Sequence, residues 1–346
     1  MRKFHFFAPC MKISASIYSN KEKDLETLVR ELDAHGIDMF HIDCFDDSVF
    51  KDIERIRAIS KTPIDLHIIH QQPESFFGLI DKYQIDFVSI QYNPEIKGAL
   101  FGSRGVTEWG LAITMNDSLN AVNKQLQQAD FALIMASEPG VSGKPFDRAN
   151  FQRITDFKQQ FPQKKVQVDG GVNDRIAFVL RLLGVDSIVS GNYLMRREYL
   201  GVGMLNLHKT PSLQEAENDF KMGDFMMPCQ YLPVLSEKGL SIQNVLETIE
   251  QFKMGFVLIN GADGKLKGVI SNADIRRGFL GKLNDLNAVD VVKMINASPV
   301  VIKEGETLTD MLHLLNNLNF IILFLPVVDI DNKLKGAVLL NNLTRV

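Results

Sequence analysis

Asp38-Met-Phe-His-Ile-Asp43 and Ile64-Asp-Leu-His-Ile-Ile69 are short apolar runs in which polar side chains recur at every second position. Alternation of this kind marks a strand, and apolar residues on both sides of it mark a strand covered on both faces. Outward from this pair the pattern repeats at residues 12–17, 86–90, 110–113, 131–135, 166–169 and 187–189. Between several of these runs apolar residues fall at helical spacing, as at Leu25, Leu28, Val29 and Leu32, or Ile176, Val179, Leu180 and Leu183. Buried strands separated by helices run parallel and are joined by crossovers. Eight such units before about residue 200 predict an α/β fold, a compact (β/α)8 barrel. An open doubly wound sheet is the alternative, but no Gly-x-Gly-x-x-Gly follows the first strand.

The 346 residues are 45% hydrophobic and 23% charged, close to the globular average, which excludes wholesale disorder. Basic and acidic residues number 38 and 42, for a net charge of −4, and no Lys/Arg block occurs. A phosphate backbone has no electrostatic footprint here, so no nucleic-acid partner is expected. Cys10, Cys44 and Cys229 are far apart and odd in number, which reads as reduced thiols of an intracellular protein. The apolar part of residues 1–10 is too short for a signal peptide, and no apolar run reaches the roughly 18 residues that span a bilayer. The expectation is a cytoplasmic protein without a membrane partner.

Past Gly201 the pattern changes, and residues 207–217 form a polar, Pro-containing stretch that reads as a linker. Then the chain repeats itself. Gly264-Lys-Leu-Lys-Gly-Val269 returns 68 positions later as Asn332-Lys-Leu-Lys-Gly-Ala337. Each copy follows a short apolar strand, residues 256–259 or 325–328, and a helical stretch, residues 243–252 or 308–318. Two copies are too few for a solenoid and predict a tandem pair packed on each other. The expected division is a barrel over 1–205, a linker over 206–221 and a smaller α+β domain over 222–346, with copies of about 222–290 and 291–346.

Chemistry-bearing residues gather at strand ends. Strand two ends in His41-Ile-Asp43, strand three in Asp65-Leu-His67 and strand seven in Val168-Asp169-Gly-Gly171. Alternation places His41 and Asp43 on one face, which in a barrel is the interior, and His67 and Asp169 occupy matching strand ends. All four then converge at the C-terminal mouth, where barrel active sites lie. Each alone has an ordinary reading, since a strand-end His is usually just hydrogen-bonded and Asp often caps the next helix. Together they suit one divalent ion, and the mixed N/O set fits Zn, Fe, Mn or Co better than Ca or Mg. Glycines follow strands six, seven and eight in Pro139-Gly-Val-Ser-Gly143, Gly170-Gly171 and Gly191-Asn192. Any one pair closes a tight turn; three in succession favour backbone N–H groups that approach a phosphate.

The motifs Lys12-Ile-Ser-Ala-Ser-Ile17, His41-Ile-Asp-Cys-Phe-Asp46, Asp65-Leu-His67, Met135-Ala-Ser-Glu-Pro-Gly140, Val168-Asp-Gly-Gly-Val172 and Val189-Ser-Gly-Asn192 keep one order and spacing. In this the first domain resembles the ribulose-phosphate 3-epimerase family. The resemblance implies that His41, Asp43, His67 and Asp169 bind the metal, and that Asp43 and Asp169 are the acid/base pair on opposite faces of a sugar phosphate. It places Ser16 and Met135 beside the substrate and its phosphate at Gly140, Ser142, Gly143, Gly170, Gly171, Gly191 and Asn192. The implied reaction inverts the carbon next to the ketone, as between D-ribulose 5-phosphate and D-xylulose 5-phosphate, through an enediolate that a metal stabilises. The pocket walls depart from the family. Phe45 and Ile69 replace methionines, Gln91 stands where a His is common, Thr114-Met115 replaces Lys-Pro, and Asp46-Asp47-Ser48 leads almost directly into a helix. Val141, Ser142 and Lys144 replace Phe, Gly and Gln, and Asn192 replaces a Ser. These changes point to a related sugar phosphate as the variant substrate.

Gly268-Val-Ile-Ser-Asn-Ala-Asp-Ile-Arg-Arg277, Pro326-Val-Val-Asp329 and Gly336-Ala-Val-Leu-Leu-Asn-Asn342 resemble a tandem cystathionine-β-synthase (CBS) module, most closely those of arabinose 5-phosphate isomerases. The resemblance implies an adenine or other nucleotide held by Ser271 and Asp274. The second copy has Leu339 and Asn342 there, so one complete site at most is expected. Both domain types commonly self-associate in their families, which implies a homo-oligomer. Two other classes are weighed. Phosphate-barrel decarboxylases carry Asp-x-Lys-x-x-Asp on strand three, whereas this chain reads Asp65-Leu-His67-Ile-Ile-His70. A non-catalytic or substrate-shifted barrel with a nucleotide-sensing module is the second, and the intact metal quartet argues against loss of catalysis. Trp109 is expected ahead of strand five, Cys44 facing the helices, and His5, His35, His70 and His208 on the surface or in turns.

Overall fold

The computed structural model describes residues 11–96, 100–102, 105–140, 143–196, 199–213, 219–280, 282 and 289–344. Cys10, His5, Val141 and Ser142 therefore lie outside the described residues. The chain divides into two units, one of Met1–Ser212 with Asn342–Val346, the other of Leu213–Asn341.

The first unit is a closed barrel of eight parallel strands in sequential order: β1 (Lys12–Ser16), β2 (Met39–Cys44), β3 (Ile64–Ile68), β4 (Phe87–Gln91), β5 (Glu108–Ile113), β6 (Phe131–Met135), β7 (Lys165–Asp169) and β8 (Ser187–Ser190). Closure is made by β8 against β1, with Ile13 beside Ile188. Each expected strand is present. The largest displacement is at β5, which starts at Glu108, so Trp109 belongs to the strand rather than preceding it. Its indole is buried edge-on against Phe77, at 5.1 Å between centroids. Apolar burial extends the strand past the point where the run of aliphatic residues ends.

Helices α1 (Leu25–Ala34), α2 (Val49–Ile59), α3 (Phe77–Tyr83), α4 (Asn123–Gln128), α5 (Ala149–Gln160), α6 (Asp174–Leu182), α7 (Asn192–Met195) and α8 (Leu200–His208) follow the strands. Among the described residues between β4 and β5 there is no α-helix. Most of the predicted stripes are buried: α1 buries Leu28, Val29 and Leu32, and α6 buries Ile176, Val179 and Leu180, while Leu25 and Leu183 at the helix ends are half-buried. Each starts at a side-chain cap that takes an otherwise unpaired N–H. Asp24 accepts from Thr27 N at 3.0 Å and Asn173 from Ile176 N at 3.0 Å. Helix α8 runs into the stretch read as linker, because Leu207 is fully buried.

The barrel interior holds a buried polar layer. Ser14, His41, Asp65 and Gln167, from β1, β2, β3 and β7, are each at most 3% exposed, and the first, second and fourth are each bonded to Asp65. Two positions further along the strands come Ser16, Asp43, His67 and Asp169, by the period-two alternation of strand side chains.

The second unit repeats one arrangement. Its strands are β9 (Met227–Pro228), β10 (Val234–Ser236), β11 (Phe256–Asn260), β12 (Leu266–Ser271), β13 (Ile302–Lys303), β14 (Phe324–Val328) and β15 (Leu334–Leu339). In one sheet β10 runs parallel to β11 and β11 antiparallel to β12; in the other, β13, β14 and β15 do the same, with β9 added at the edge. The repeated Lys-Leu-Lys-Gly hairpins meet reciprocally. Leu266 N donates to Asn332 O at 3.0 Å, and Leu334 N donates to Gly264 O at 3.1 Å. Donors and acceptors are both 68 positions apart, so the contact has a local two-fold axis. Phe256 and Phe324, also 68 apart, stack at 3.7 Å between centroids. Leu258, Leu266 and Val269 from one copy share a core with Val328, Leu334 and Ala337 from the other. Full burial of such side chains stabilises by roughly 1.5–3 kcal/mol each.

Helix α9 (Met222–Phe225) opens this unit, α10 (Ile242–Phe252) and α11 (Asn272–Phe279) pack in the first copy, and α12 (Leu308–Asn316) in the second. Ser271 and Asp274 form a capping box on α11, with Ser271 N donating to Asp274 Oδ2 at 2.8 Å and Asp274 N to Ser271 Oγ at 3.3 Å. Burial works to raise the Asp274 carboxyl, but the Ser271 bonds and Arg277 outweigh it and hold the group below its ordinary value. A depressed carboxyl stabilises the fold above the unfolded pKa, and that stabilisation is lost as pH falls through the lower folded value. Ser271→Ala is expected to cost about 1 kcal/mol, the usual worth of a Ser cap. Calorimetry of the full chain checks this as a lowered transition at neutral pH, with a smaller difference from wild type in acid.

Candidate active site at the barrel mouth

The period-two alternation stacks the site in two levels. At the lower level Asp65 is fully buried, and its Oδ2 accepts from Ser14 Oγ at 2.8 Å and Gln167 Nε2 at 2.6 Å. The same oxygen lies 2.9 Å from His41 Nδ1. The other imidazole nitrogen, His41 Nε2, is buried without a hydrogen-bond partner. It lies 3.4 Å from Asp43 Oδ1 and 3.7 Å from Asp169 Oδ2. At the upper level His67 Nδ1 is 3.2 Å from the same Asp43 oxygen, and His67 Nε2 is 3.1 Å from Gln91 Oε1. Ligand atoms of His41, Asp43, His67 and Asp169 all lie within 4.8 Å of one another.

This donor set fits a divalent cation. Two imidazoles and two carboxylates converge, and the orphaned His41 Nε2 is aimed into the group; a buried polar atom without a partner is costly unless something takes its lone pair. The two carboxyls are tuned apart. Burial works to raise Asp43, but the adjacent imidazoles of His41 and His67 outweigh it, so it is held far below its ordinary value. Asp169 is raised, mainly by burial and further by the Asp43 charge, against the pull of the imidazoles. His41 is raised well above its ordinary value although burial alone would lower it, because Asp65, Asp43 and Asp169 surround it.

Over this cluster opens a cavity of about 700 Å³. Asp43 and Asp169 line it together with Ser16, Met135, Gly140, Gly143, Gly170, Gly171, Gly191 and Asn192, which are all the described residues expected around a substrate. Ser142 is the exception, as it lies outside the described residues. At Gly170 φ is +115° and a Cβ would stand 2.6 Å from Ser137 N; at Gly171 φ is +65° and a Cβ would stand 2.7 Å from the Pro145 carbonyl carbon. Only glycine fits there, and the backbone is left bare towards the cavity. Phe45 lies against Gly140, so the ring that replaces a methionine forms part of the wall. Cys44 is buried with Sγ donating to Asp46 O, and burial with the Asp46 charge pushes its thiol up to about 12, so it is no nucleophile. Ser271 and Asp274 belong to the second unit and bond each other there.

Some lining residues carried no signal in the sequence. Lys21 and Arg196 stand in loop or turn segments with no periodicity to place them, and Lys144 pairs with Glu138 at 2.7 Å. Ser14 and Gln167 were open to inference: each lies two residues before a site residue on the same strand face.

The profile of the ribulose-phosphate 3-epimerase family matches residues 12–195, more than half of the chain. The chain belongs to the ribulose-phosphate 3-epimerase family. That is a family of carbohydrate isomerases, and a CBS-domain profile matches residues 290–346 in addition. The chain is similar to ribulose-phosphate 3-epimerase of Helicobacter pylori strain J99, 26% identical over 200 residues, 53% of this chain and 90% of that one. It is similar also to ribulose-phosphate 3-epimerase of Bacillus subtilis, 23% identical over 198 residues, 53% of this chain and 91% of that one. Among solved structures, the CBS-pair protein CBSX2 from Arabidopsis thaliana is 27% identical, covering 37% of this chain and 94% of that one, with a TM-score of 0.31. Among the described residues no helix is long and apolar enough to cross a membrane.

Proposed function

We propose that the barrel is a metal-dependent epimerase of a ketose phosphate, with D-ribulose 5-phosphate and D-xylulose 5-phosphate the first pair to test. The observation that carries this reading is the placing of two carboxyls, Asp43 and Asp169, in one cluster with His41 and His67, both carboxyls lining a glycine-walled cavity. Asp43, kept ionised by its imidazole neighbours, is the base that takes the proton from the carbon beside the ketone. Asp169 is the acid that returns one on the opposite face; in the reverse reaction the roles exchange. A carboxylate of ordinary pKa, about 4, is far too weak to do this unaided. A Zn, Fe, Mn or Co ion held by His41, Asp43, His67 and Asp169 would supply Lewis-acid polarisation of the ketone. Gly140, Gly143, Gly170, Gly171, Gly191 and Asn192 would receive the phosphate, with Ser16 and Met135 against the sugar. The test is NMR of metal-loaded protein with a panel of ketose phosphates in D2O. Deuterium at the carbon beside the ketone, with the epimer appearing, is the expected result. No exchange with any member by protein shown to hold metal would overturn the reading.

The CBS unit is proposed to bind a nucleotide at Ser271 and Asp274 and so to regulate the barrel; the profile match over 290–346 supports the module type and the first-copy motif the two residues. Calorimetric titration with AMP should show binding that Asp274→Ala abolishes.

A further inference from the structure

We propose that Lys21 and Arg196 form a two-cation clamp at the phosphate end of the cavity, and that they make the charge of that end of the substrate a feature the site selects. The place of the glycine seat rests on the reading above; the clamp is measurable without turnover.

Strands β1 and β8 are neighbours where the barrel closes, so the segments that follow them are neighbours at the mouth. Lys21 stands in the loop after β1, and Arg196 directly follows α7, the helix after β8. These segments meet at the glycines. Ser19 packs on Gly191 so closely that an added Cβ would overlap its hydroxyl. Asn192 in turn reaches Gly143, where an added Cβ would stand 2.9 Å from its amide nitrogen. Arg196 N donates to Asn192 O at 3.1 Å, one helical turn on, and helical side chains lean back towards the start of their helix, here the glycine end. Lys21 and Arg196 both line the cavity, and both are exposed at its rim.

Charge decides what the pair can hold. Lys144, the other cation of the lining, is paired with Glu138. Of the nearby carboxylates, Asp52 accepts from Arg55 at 2.9 Å and from Tyr18 at 3.1 Å, and Asp46 accepts from Ser48 N at 2.9 Å. Among the described residues neither Lys21 nor Arg196 has an ion-pair or hydrogen-bond partner, so their two positive charges stand unmatched at the cavity. The glycine seat offers backbone N–H groups, which are dipoles without net charge. A phosphate monoester carries close to two negative charges at pH 7, its second pKa being about 6. Held by neutral donors alone it would lack a counter-charge, which is costly away from water. Lys21 and Arg196 match that charge, one as a compact ammonium and one as a planar fork suited to two phosphate oxygens. The ligand class that fits is a phosphate dianion, and an unphosphorylated ketose would leave both cations unmatched.

The test uses the full chain and two readouts. Titration with inorganic phosphate, followed by its 31P line width, needs no turnover. Wild type should bind it, and Lys21→Met and Arg196→Met should each bind about 10-fold more weakly, with the difference shrinking as salt is raised. Lys21→Arg and Arg196→Lys keep the charge and should keep most of the affinity. With a ketose phosphate that is turned over, KM should rise about 10-fold in each methionine variant and kcat should change less, since the cations meet the phosphate and not the reacting carbon. Lys12→Met removes the same charge at the opposite end of β1 and should match wild type in both readouts. Phosphate affinity that is equal, or absent, in wild type and both methionine variants would overturn the clamp, as would an equal loss in Lys12→Met. Phosphate held by wild type and released by the methionine variants, with no exchange on any ketose phosphate, would support the clamp and remove the epimerase reading instead.

Discussion

Asp43→Asn and Asp169→Asn are each expected to slow deuterium exchange at the carbon beside the ketone by roughly 10²–10⁴-fold, the usual contribution of a general acid or base. The amide keeps the shape of the carboxyl and removes its proton chemistry. The two variants should nevertheless differ in a second measurement. Asp43 Oδ1 lies within 3.4 Å of ring nitrogens of both His41 and His67, so its loss strips the shared anionic partner from two imidazoles. Asp169 lies within 4 Å of one, at 3.7 Å. Zinc content after dialysis is therefore expected to fall further in Asp43→Asn than in Asp169→Asn. If Asp169→Asn keeps its metal and its circular dichroism but loses exchange, that carboxyl acts in proton transfer and not only as a ligand. Full activity in either variant would remove that residue from the chemistry.

Gly171→Ala is expected to have the next largest effect, on stability and on the phosphate end of the substrate together. Two penalties combine at this position. An alanine at φ +65° is forced into the left-handed region, at about 1–2 kcal/mol. Its Cβ also meets backbone atoms of Pro145 and Phe146, which cannot rotate aside, and overpacking of that kind adds about 1–3 kcal/mol. Gly36→Ala separates the two, because Gly36 has φ +72° with nothing within 4 Å of an added Cβ. Thermal melts of both variants give the clash as the difference between them. Since Pro145 and Phe146 must move to admit the methyl group, KM for a ketose phosphate should rise in Gly171→Ala and stay unchanged in Gly36→Ala. Equal melting shifts and equal KM values would mean that the loop yields freely and does not form a shaped phosphate seat.

The strands were legible because a barrel strand is covered on both faces and so reads as an apolar run, interrupted only where a polar side chain points into the interior. Those interruptions at His41, Asp43, His67 and Asp169 are the residues that the fold brings together in the candidate site. What could not be read had a different physical origin. Trp109 is a strand residue by virtue of what packs on it, and Phe77 is far from it in sequence. Leu207 continues a helix inside a stretch whose composition is that of a linker, because burial of one side chain outweighs its polar neighbours. Lys21 and Arg196 reach the cavity from segments without periodicity, where only the closed fold decides their direction. The local two-fold of the second unit, by contrast, was written into the 68-residue repeat, since identical hairpins offer each other identical donors and acceptors.

The three donors on Asp65 come from β1, β2 and β7, and the most distant, Gln167, is 102 residues away. In a barrel that had opened between any of these strands, this carboxylate would be a charge in an apolar interior with its partners missing, a state that costs several kcal/mol. Half-closed forms are thereby penalised more than either end state. The expected behaviour of the unit is cooperative: it should unfold in one transition, with amide protons of β1 and β7 exchanging together, and not peel away strand by strand.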